Sequence, residues 1–258
     1  MKPVGLHFTD SKGAGEAVVL VHAIGCDVRM WEELGAALAH GYRVICIDVR
    51  GHGRSPVEPR PYSLDGLADD VAAVLDGLDI RTVHWVGLSM GGMIGQAFAL
   101  RHGGRLEKLV IANTTSSYGP EGRQMWEARA NLVEEGGVAA IRDMAATRYF
   151  SEVFRATQPG IVERVMEQFV QTPKEGYLGC CDAIAELDYS ADLGRIAAPT
   201  LVIAGGADAG TPPAMSEAIV RGIPGAKLAV IPGAAHLSAV EKPAEFNALV
   251  RGFLDQAP

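Results

Sequence analysis

The sequence predicts an α/β fold: a mostly parallel sheet flanked by helices, with a helical lid inserted between two of its strands. Three observations carry this. Six short, nearly continuous apolar runs rich in β-branched residues recur along the chain, the pattern of strands buried on both faces. Helix-length segments separate them, and alternating strand and helix implies parallel pairing with right-handed crossovers. One interval, 115–192, breaks the rhythm with amphipathic stretches rich in Arg, Glu, Met and aromatic residues and no strand pattern. Such an insertion belongs at the carboxyl edge of the strands, where ligands bind in folds of this type.

In chain order, "AVVLVHA" (17–23) is the first strand and 29–40 the first helix. "RVICID" (43–48) follows, with Cys46 reading as a small buried hydrophobe. A helix over 63–77 leads to the strand "TVHWVG" (82–87) and then to a helix over 91–102. "KLVIANT" (108–114) is the fourth strand, and Asn113 at its end leaves no carboxylate there. The lid, 115–192, divides the chain into a core of 1–114 and 193–258. "TLVIAGG" (200–206), a proline-marked helix over 212–222, "KLAVIPG" (227–233) and a helix over 242–255 complete the pattern. With 258 residues, 48% of them hydrophobic, the chain has apolar material for one large core.

Composition excludes some roles. A formal net charge of −8, with no basic stretch carrying interleaved aromatics, argues against nucleic-acid and anionic-membrane partners. The longest apolar run, "AVVLVHAIGC", is too short to span a bilayer, and "MKPVGLHFTD" lacks a signal-peptide pattern. A soluble, cytoplasmic protein is therefore expected. The four cysteines show no C-x-x-C spacing and no H-E-x-x-H occurs, so neither a metal site nor a disulfide framework is expected. The adjacent pair Cys180 and Cys181 falls on a helical stretch of the lid, where two small hydrophobes would pack.

Chemistry centres on "VGLSMGG", which places Ser89 in G-x-S-x-G between a buried strand and a helix. A nucleophilic serine has to protrude from a tight strand-to-helix turn, and small neighbours let adjacent backbone pass close by. In a chain with 31 glycines the pattern alone could be a packing turn; its placement decides for the nucleophile. Serine needs a base, and the base an orienting carboxylate. Asp208 in "VIAGGADAGTPP" and His236 in "VIPGAAHLSAVEKP" each follow a strand and precede a helix, in the chain order Ser, acid, His. His7, His40, His84 and His102 sit in a strand or at element ends and read as structural. His22 and His52 lie in loops at the active edge, again as structural residues. Asp182, Asp188 and Asp192 read as solvated or ion-paired lid residues. The oxyanion donors are expected to be the backbone N–H of Met90 and that of Ile24 in "HAIGCD", each worth about 3 kcal/mol of barrier. Cys26, beside them, has no activating partner.

Taken together, "HAIGCD", "DVRGHGRS", "GLSMGG", "GGADAGTPP" and "AAHLSAVEKP" resemble the α/β-hydrolase superfamily across the whole chain. More finely, "DVRMW" (27–31), "GLSMGGMIGQ" (87–96) and "GYLGCCDAI" (176–184) look like the 3-oxoadipate enol-lactone hydrolases. The chain departs from that group at Ala23 and Cys26, where a hydroxyl residue is more frequent, and at Tyr149, where Trp is common. The resemblance implies a small enol-lactone with a carboxylate arm as substrate, and no metal or organic cofactor. A carboxylate needs a cation, and Arg29, Arg129 and Arg148 are the candidates, with Trp31, Trp126 and Tyr149 as further substrate-binding candidates. The same triad serves general carboxylesterases and hydrolases of carbon–carbon bonds in ring-cleavage products, so these alternatives stay open, as does the oligomeric state.

Overall fold

Residues 3–256 are described by the computed structural model. All six strands expected from the sequence form, and a seventh precedes them. The strands are β1 (Phe8–Asp10), β2 (Ala17–Val21), β3 (Arg43–Ile47), β4 (Val83–Leu88), β5 (Leu106–Ala112), β6 (Thr200–Gly205) and β7 (Lys227–Ile231). They build one sheet in the order β1-β3-β2-β4-β5-β6-β7. Only β1 runs antiparallel, pairing Phe8 with Ile47. Three residues are too few to show an alternating pattern, which is why β1 is not visible in the sequence.

The chain steps from β2 outward to β3, then returns across β2 to β4. That reversal opens a crevice at the carboxyl ends of β2 and β4, the place where doubly wound sheets bind ligands. Register carries the ends into line: Val21 lies opposite Gly87, Leu88 opposite Ala112, and Ala112 opposite Ile203. The loops that follow β2, β4, β5, β6 and β7 therefore converge on one edge.

Helices α1 (Glu32–Leu38), α2 (Leu64–Gly77) and α3 (Met90–His102) belong to the first half of the chain. Instead of one helix over 29–40, a 3₁₀ turn, Val28–Trp31, precedes α1. Asp27 causes the break: its carboxylate accepts from the Arg29 N–H and caps the turn. Between β5 and β6 stand five helices, α4 (Gly119–Gly136), α5 (Arg142–Tyr149), α6 (Glu152–Thr157), α7 (Pro159–Val170) and α8 (Lys174–Ala185). Then come α9 (Pro213–Gly222), α10 (Ser238–Glu241) and α11 (Pro243–Leu254). Helix α2 packs on α3, α1 on α11, and α4 on α8.

The two ends of the five-helix insertion are tied together, since the Tyr189 N–H donates to the Ser116 carbonyl at 2.8 Å. Helix α8 lies directly on the loop after β3. A Cβ at Gly176 would stand 2.1 Å from the Gly51 carbonyl oxygen, so two glycines are what permits the contact. Cys180 and Cys181 on α8 are both buried and unpaired. Burial pushes the Cys181 thiol up to about 12 and Cys180 well above its ordinary value, so the pair packs as small hydrophobes.

Candidate active site

Ser89 stands between β4 and α3 with φ 56° and ψ −115°, a conformation that costs a non-glycine residue about 1–3 kcal/mol. The strain is held from outside. The Ser89 N–H donates to the Ala112 carbonyl at 2.8 Å, and the Thr114 hydroxyl donates to the Ser89 carbonyl at 2.9 Å. Both flanking glycines are needed for space. A Cβ at Gly87 would meet the Gly91 carbonyl oxygen at 2.1 Å, and one at Gly91 would meet the Val21 carbonyl oxygen at 2.0 Å. The turn is therefore pressed between the next helix and the end of β2, leaving the side chain to project at the sheet edge.

There it meets the two predicted partners. His236 Nε2 lies 2.8 Å from Ser89 Oγ, and His236 Nδ1 lies 2.8 Å from Asp208 Oδ2. All three residues are buried. Asp208 accepts further hydrogen bonds: Oδ2 from Asn113 Nδ2 at 2.9 Å and from the Thr211 hydroxyl at 2.7 Å, Oδ1 from the N–H groups of Gly210 and Thr211. Burial alone would raise its pKa. The neighbouring His236 and the bonds from His236, Asn113 and Thr211 outweigh it and hold the carboxyl below the usual carboxylate range. An ionised Asp208 accepting at Nδ1 fixes the imidazole tautomer, leaving Nε2 free to take a proton from Ser89.

Ile24 and Met90, the expected oxyanion donors, are both buried beside this chain. Met90 is the first residue of α3, so its N–H has no acceptor within the helix and shares the positive helix end. The Ile24 N–H belongs to the peptide whose carbonyl, that of Ala23, accepts from His22 Nδ1 at 2.7 Å and from the Cys26 N–H at 3.1 Å. In a planar trans peptide the N–H points opposite to its carbonyl, so those two bonds set the direction of the Ile24 N–H. His22 Nε2 accepts from the Val49 N–H at 2.9 Å, which places the ring proton on Nδ1. Tyr149 closes the group. Its hydroxyl donates to the Ile24 carbonyl, and its ring stacks on His236 at 5.9 Å between centroids and 20° between planes.

Arg129, Arg148 and Trp126 gather next to these residues. The guanidinium carbons of both arginines lie over the Trp126 ring, at 5.5 and 5.7 Å. Arg129 is 6% exposed and donates through Nε to the Tyr177 hydroxyl at 2.7 Å, while its buried Nη2 has no partner. Arg148 reaches the Tyr118 hydroxyl and the Gly210 carbonyl, both at 3.4 Å, and so touches the loop of Asp208. Among the described residues neither arginine pairs with a carboxylate. That lack of a counter-ion is a property of the fold rather than of local sequence.

Two substrate-binding candidates fall elsewhere. Arg29 is held by Asp27, with its side chain 52% exposed; two residues' separation on a tight turn suffices to pair them. Trp31 is a core residue packed against Phe246 of α11 at 6.3 Å. Other histidines and acids have structural partners: His7 with Asp48, His84 with Glu16, His102 with Asp69, Asp182 with Arg60, Asp192 with Arg195, while His40 is exposed. Asn113, Thr211, Tyr118 and Tyr177 are the site neighbours that sequence reasoning did not single out as partners. A polar side chain ending an otherwise apolar strand was the one available signal, for Asn113.

Fold and site together define a class: a doubly wound α/β protein with a serine–histidine–aspartate chain at the carboxyl ends of its strands. Residues 16–243 match the family described as alpha/beta hydrolase fold, and the chain belongs to that family. It is similar to 3-oxoadipate enol-lactonase 2 of Acinetobacter baylyi, 39% identical over 238 residues, 92% of this chain and 88% of that one. It is also similar to the solved enol-lactonase of Burkholderia xenovorans, with a TM-score of 0.93 and 34% identity over 97% of this chain and 96% of that one. A malate-bound thermophilic esterase from Thermogutta terrifontis gives a TM-score of 0.91 at 32% identity over 96% and 92%.

Proposed function

We propose that this chain is a serine hydrolase that opens 3-oxoadipate enol-lactone, a small ring ester with a carboxylate arm, to 3-oxoadipate. The observation that carries the chemistry is the continuous hydrogen-bonded line Ser89 Oγ–His236–Asp208, with 2.8 Å at both joints. Similarity to the enol-lactonases of Acinetobacter and Burkholderia supports the choice of substrate. His236 Nε2 takes the Ser89 proton as Oγ bonds to the ring carbonyl carbon. The N–H groups of Ile24 and Met90 stabilise the oxyanion. The ring C–O bond then breaks, and the departing enolate oxygen receives the proton from His236 before tautomerising to the ketone. Water, deprotonated by His236, attacks the acyl carbon, and Ser89 leaves with that proton restored.

Arg129 supplies the cation for the carboxylate arm: it is buried, lacks a counter-ion, and has an Nη2 with no partner. Residues 115–192 act as a lid over a core of 1–114 and 193–258, contributing Trp126, Arg129, Arg148 and Tyr149 to the substrate side. A cytoplasmic setting is part of this proposal. Among the described residues no helix is long and apolar enough to cross a membrane. The test is spectrophotometric loss of the enol-lactone by purified protein, with Ser89→Ala as control. Ser89-dependent turnover at a kcat/KM well above that for a neutral ester of similar size is expected. Equal turnover of both would favour a general carboxylesterase, and turnover that survives Ser89→Ala would overturn the mechanism.

A further inference from the structure

The residues at the carboxyl end of β5 bond to Ser89, to Asp208 and to the loop that carries His236. The Ala112 carbonyl accepts from the Ser89 N–H, and the Thr114 hydroxyl donates to the Ser89 carbonyl. Between them Asn113 faces the other two loops. Its Nδ2 donates to Asp208 Oδ2 at 2.9 Å and to the carbonyl of Ala235, the residue before His236, at 3.1 Å. Its Oδ1 accepts from the Ser238 hydroxyl at 2.5 Å, two residues beyond His236. The N–H of Asn113 continues the sheet, donating to Ile203 at 2.8 Å. An amide has two donors and an acceptor oxygen, and here both donors and that oxygen are used in full burial.

We propose that Asn113 is a positioning residue that locks the acid loop after β6 and the base loop after β7 into one register. The inference rests on the assignment of Ser89, His236 and Asp208 as the reacting set. Three features make Asn the fitting side chain. The backbone stands at φ 47°, in the left-handed region that Asn tolerates better than most residues. The Asp208 carboxylate and the Ala235 carbonyl can only accept, so the nitrogen end of the amide is turned to them and the oxygen end is left to the Ser238 hydroxyl. The space is shaped for it: a Cβ at Gly205 would stand 2.9 Å from Asn113 Nδ2 and 2.4 Å from the Ala235 carbonyl oxygen. Without the amide, Asp208 Oδ2 keeps Thr211 and His236, but nothing from β5 links that carboxylate to the backbone on either side of His236.

Asn113→Gly keeps the backbone conformation accessible and removes the amide. Misplacement of the acid against the base is paid in the chemical step, so kcat should fall about 10- to 100-fold while KM stays within about twofold. A readout independent of turnover accompanies it: the downfield proton resonance of His236 Nδ1–H, which reports the bond to Asp208, should shift or broaden. Wild-type kcat, or a lower kcat with that resonance unchanged, overturns the inference; so does a loss that only follows the folded fraction. Should N113G not fold, Ser238→Ala carries the test, with a smaller loss of kcat at unchanged KM expected and wild-type kcat counting against the proposal. Failure of the functional reading looks different, because the wild-type protein would then show no Ser89-dependent turnover at all.

Discussion

A buried charge with no counter-ion costs a protein free energy, and Arg129 is such a charge. The residue is 6% exposed, and its guanidinium donates to one phenol oxygen, lies over two aromatic faces and meets no carboxylate among the described residues. Cation–π contacts of this kind recover about 1–2 kcal/mol, whereas a full desolvation penalty is several. The balance is explicable if a ligand carboxylate completes the site. Arg129→Met should therefore raise Tm in the unliganded protein while lowering kcat/KM for the anionic lactone about 100-fold. A neutral ester of the same size should lose much less. Arg129→Lys keeps the charge but not the planar fork and should fall between. Equal losses on both substrates, or a Tm that drops, would remove Arg129 as the anchor.

The helices between β5 and β6 also act at the element scale. Tyr149, the last residue of α5, joins the loop after β2 to His236 through its hydroxyl on Ile24 and its ring on the imidazole. The backbone adds to this, with the Leu237 N–H donating to the Tyr149 carbonyl at 2.9 Å. Tyr149→Phe keeps ring and backbone and deletes one bond, worth about 1 kcal/mol net. The expected outcome is a kcat lowered by about two- to tenfold with KM unchanged; a change in KM alone would make Tyr149 a pocket wall only. This coupling also marks the limit of what is legible in sequence. Ser89, Asp208 and His236 could be read because each needs a loop just past a buried strand, and such strands are plain in "TVHWVG", "TLVIAGG" and "KLAVIPG". The short edge strand β1 lacked the length to show a pattern. Arg29 and Trp31 resembled site residues because they follow the loop after β2, yet a turn capped by Asp27 carries Arg29 into an ion pair and Trp31 into the core. Which arginines lack a carboxylate partner depends on contacts between the helices of 115–192 and the loops beneath them, and no local spacing encodes that.

Across the whole molecule, the loops after β2 and β3 are joined through two buried imidazoles whose ring centroids lie 5.3 Å apart. Burial, with His22 as the next cause, lowers His52 to about 3, and burial also lowers His22. Both are neutral in the folded protein at pH 7, consistent with the Val49 N–H donating to His22 Nε2. In the unfolded chain each titrates near 6.5, so below that pH the unfolded state binds protons that the folded state refuses. The stability these groups contribute is complete above about pH 6.5 and drains away as pH falls toward 3. At about 1.4 kcal/mol per pH unit, the loss for His52 alone reaches about 5 kcal/mol as an upper bound. Depressed carboxylates act lower: Asp10, Asp27 and Asp208 contribute fully above about 3.8 and lose that contribution only as pH falls through their folded values. In the window from pH 6.5 to 4 the two histidines are therefore what lowers stability, while Asp70, raised by burial, acts in the opposite sense. Urea unfolding at pH 7 and pH 4.5 should show a lower unfolding free energy at the acid value. The slope should flatten in His52→Asn, whose amide can still donate to the Arg50 carbonyl that His52 faces. A slope as steep in that variant as in the wild type would shift the acid sensitivity to other groups.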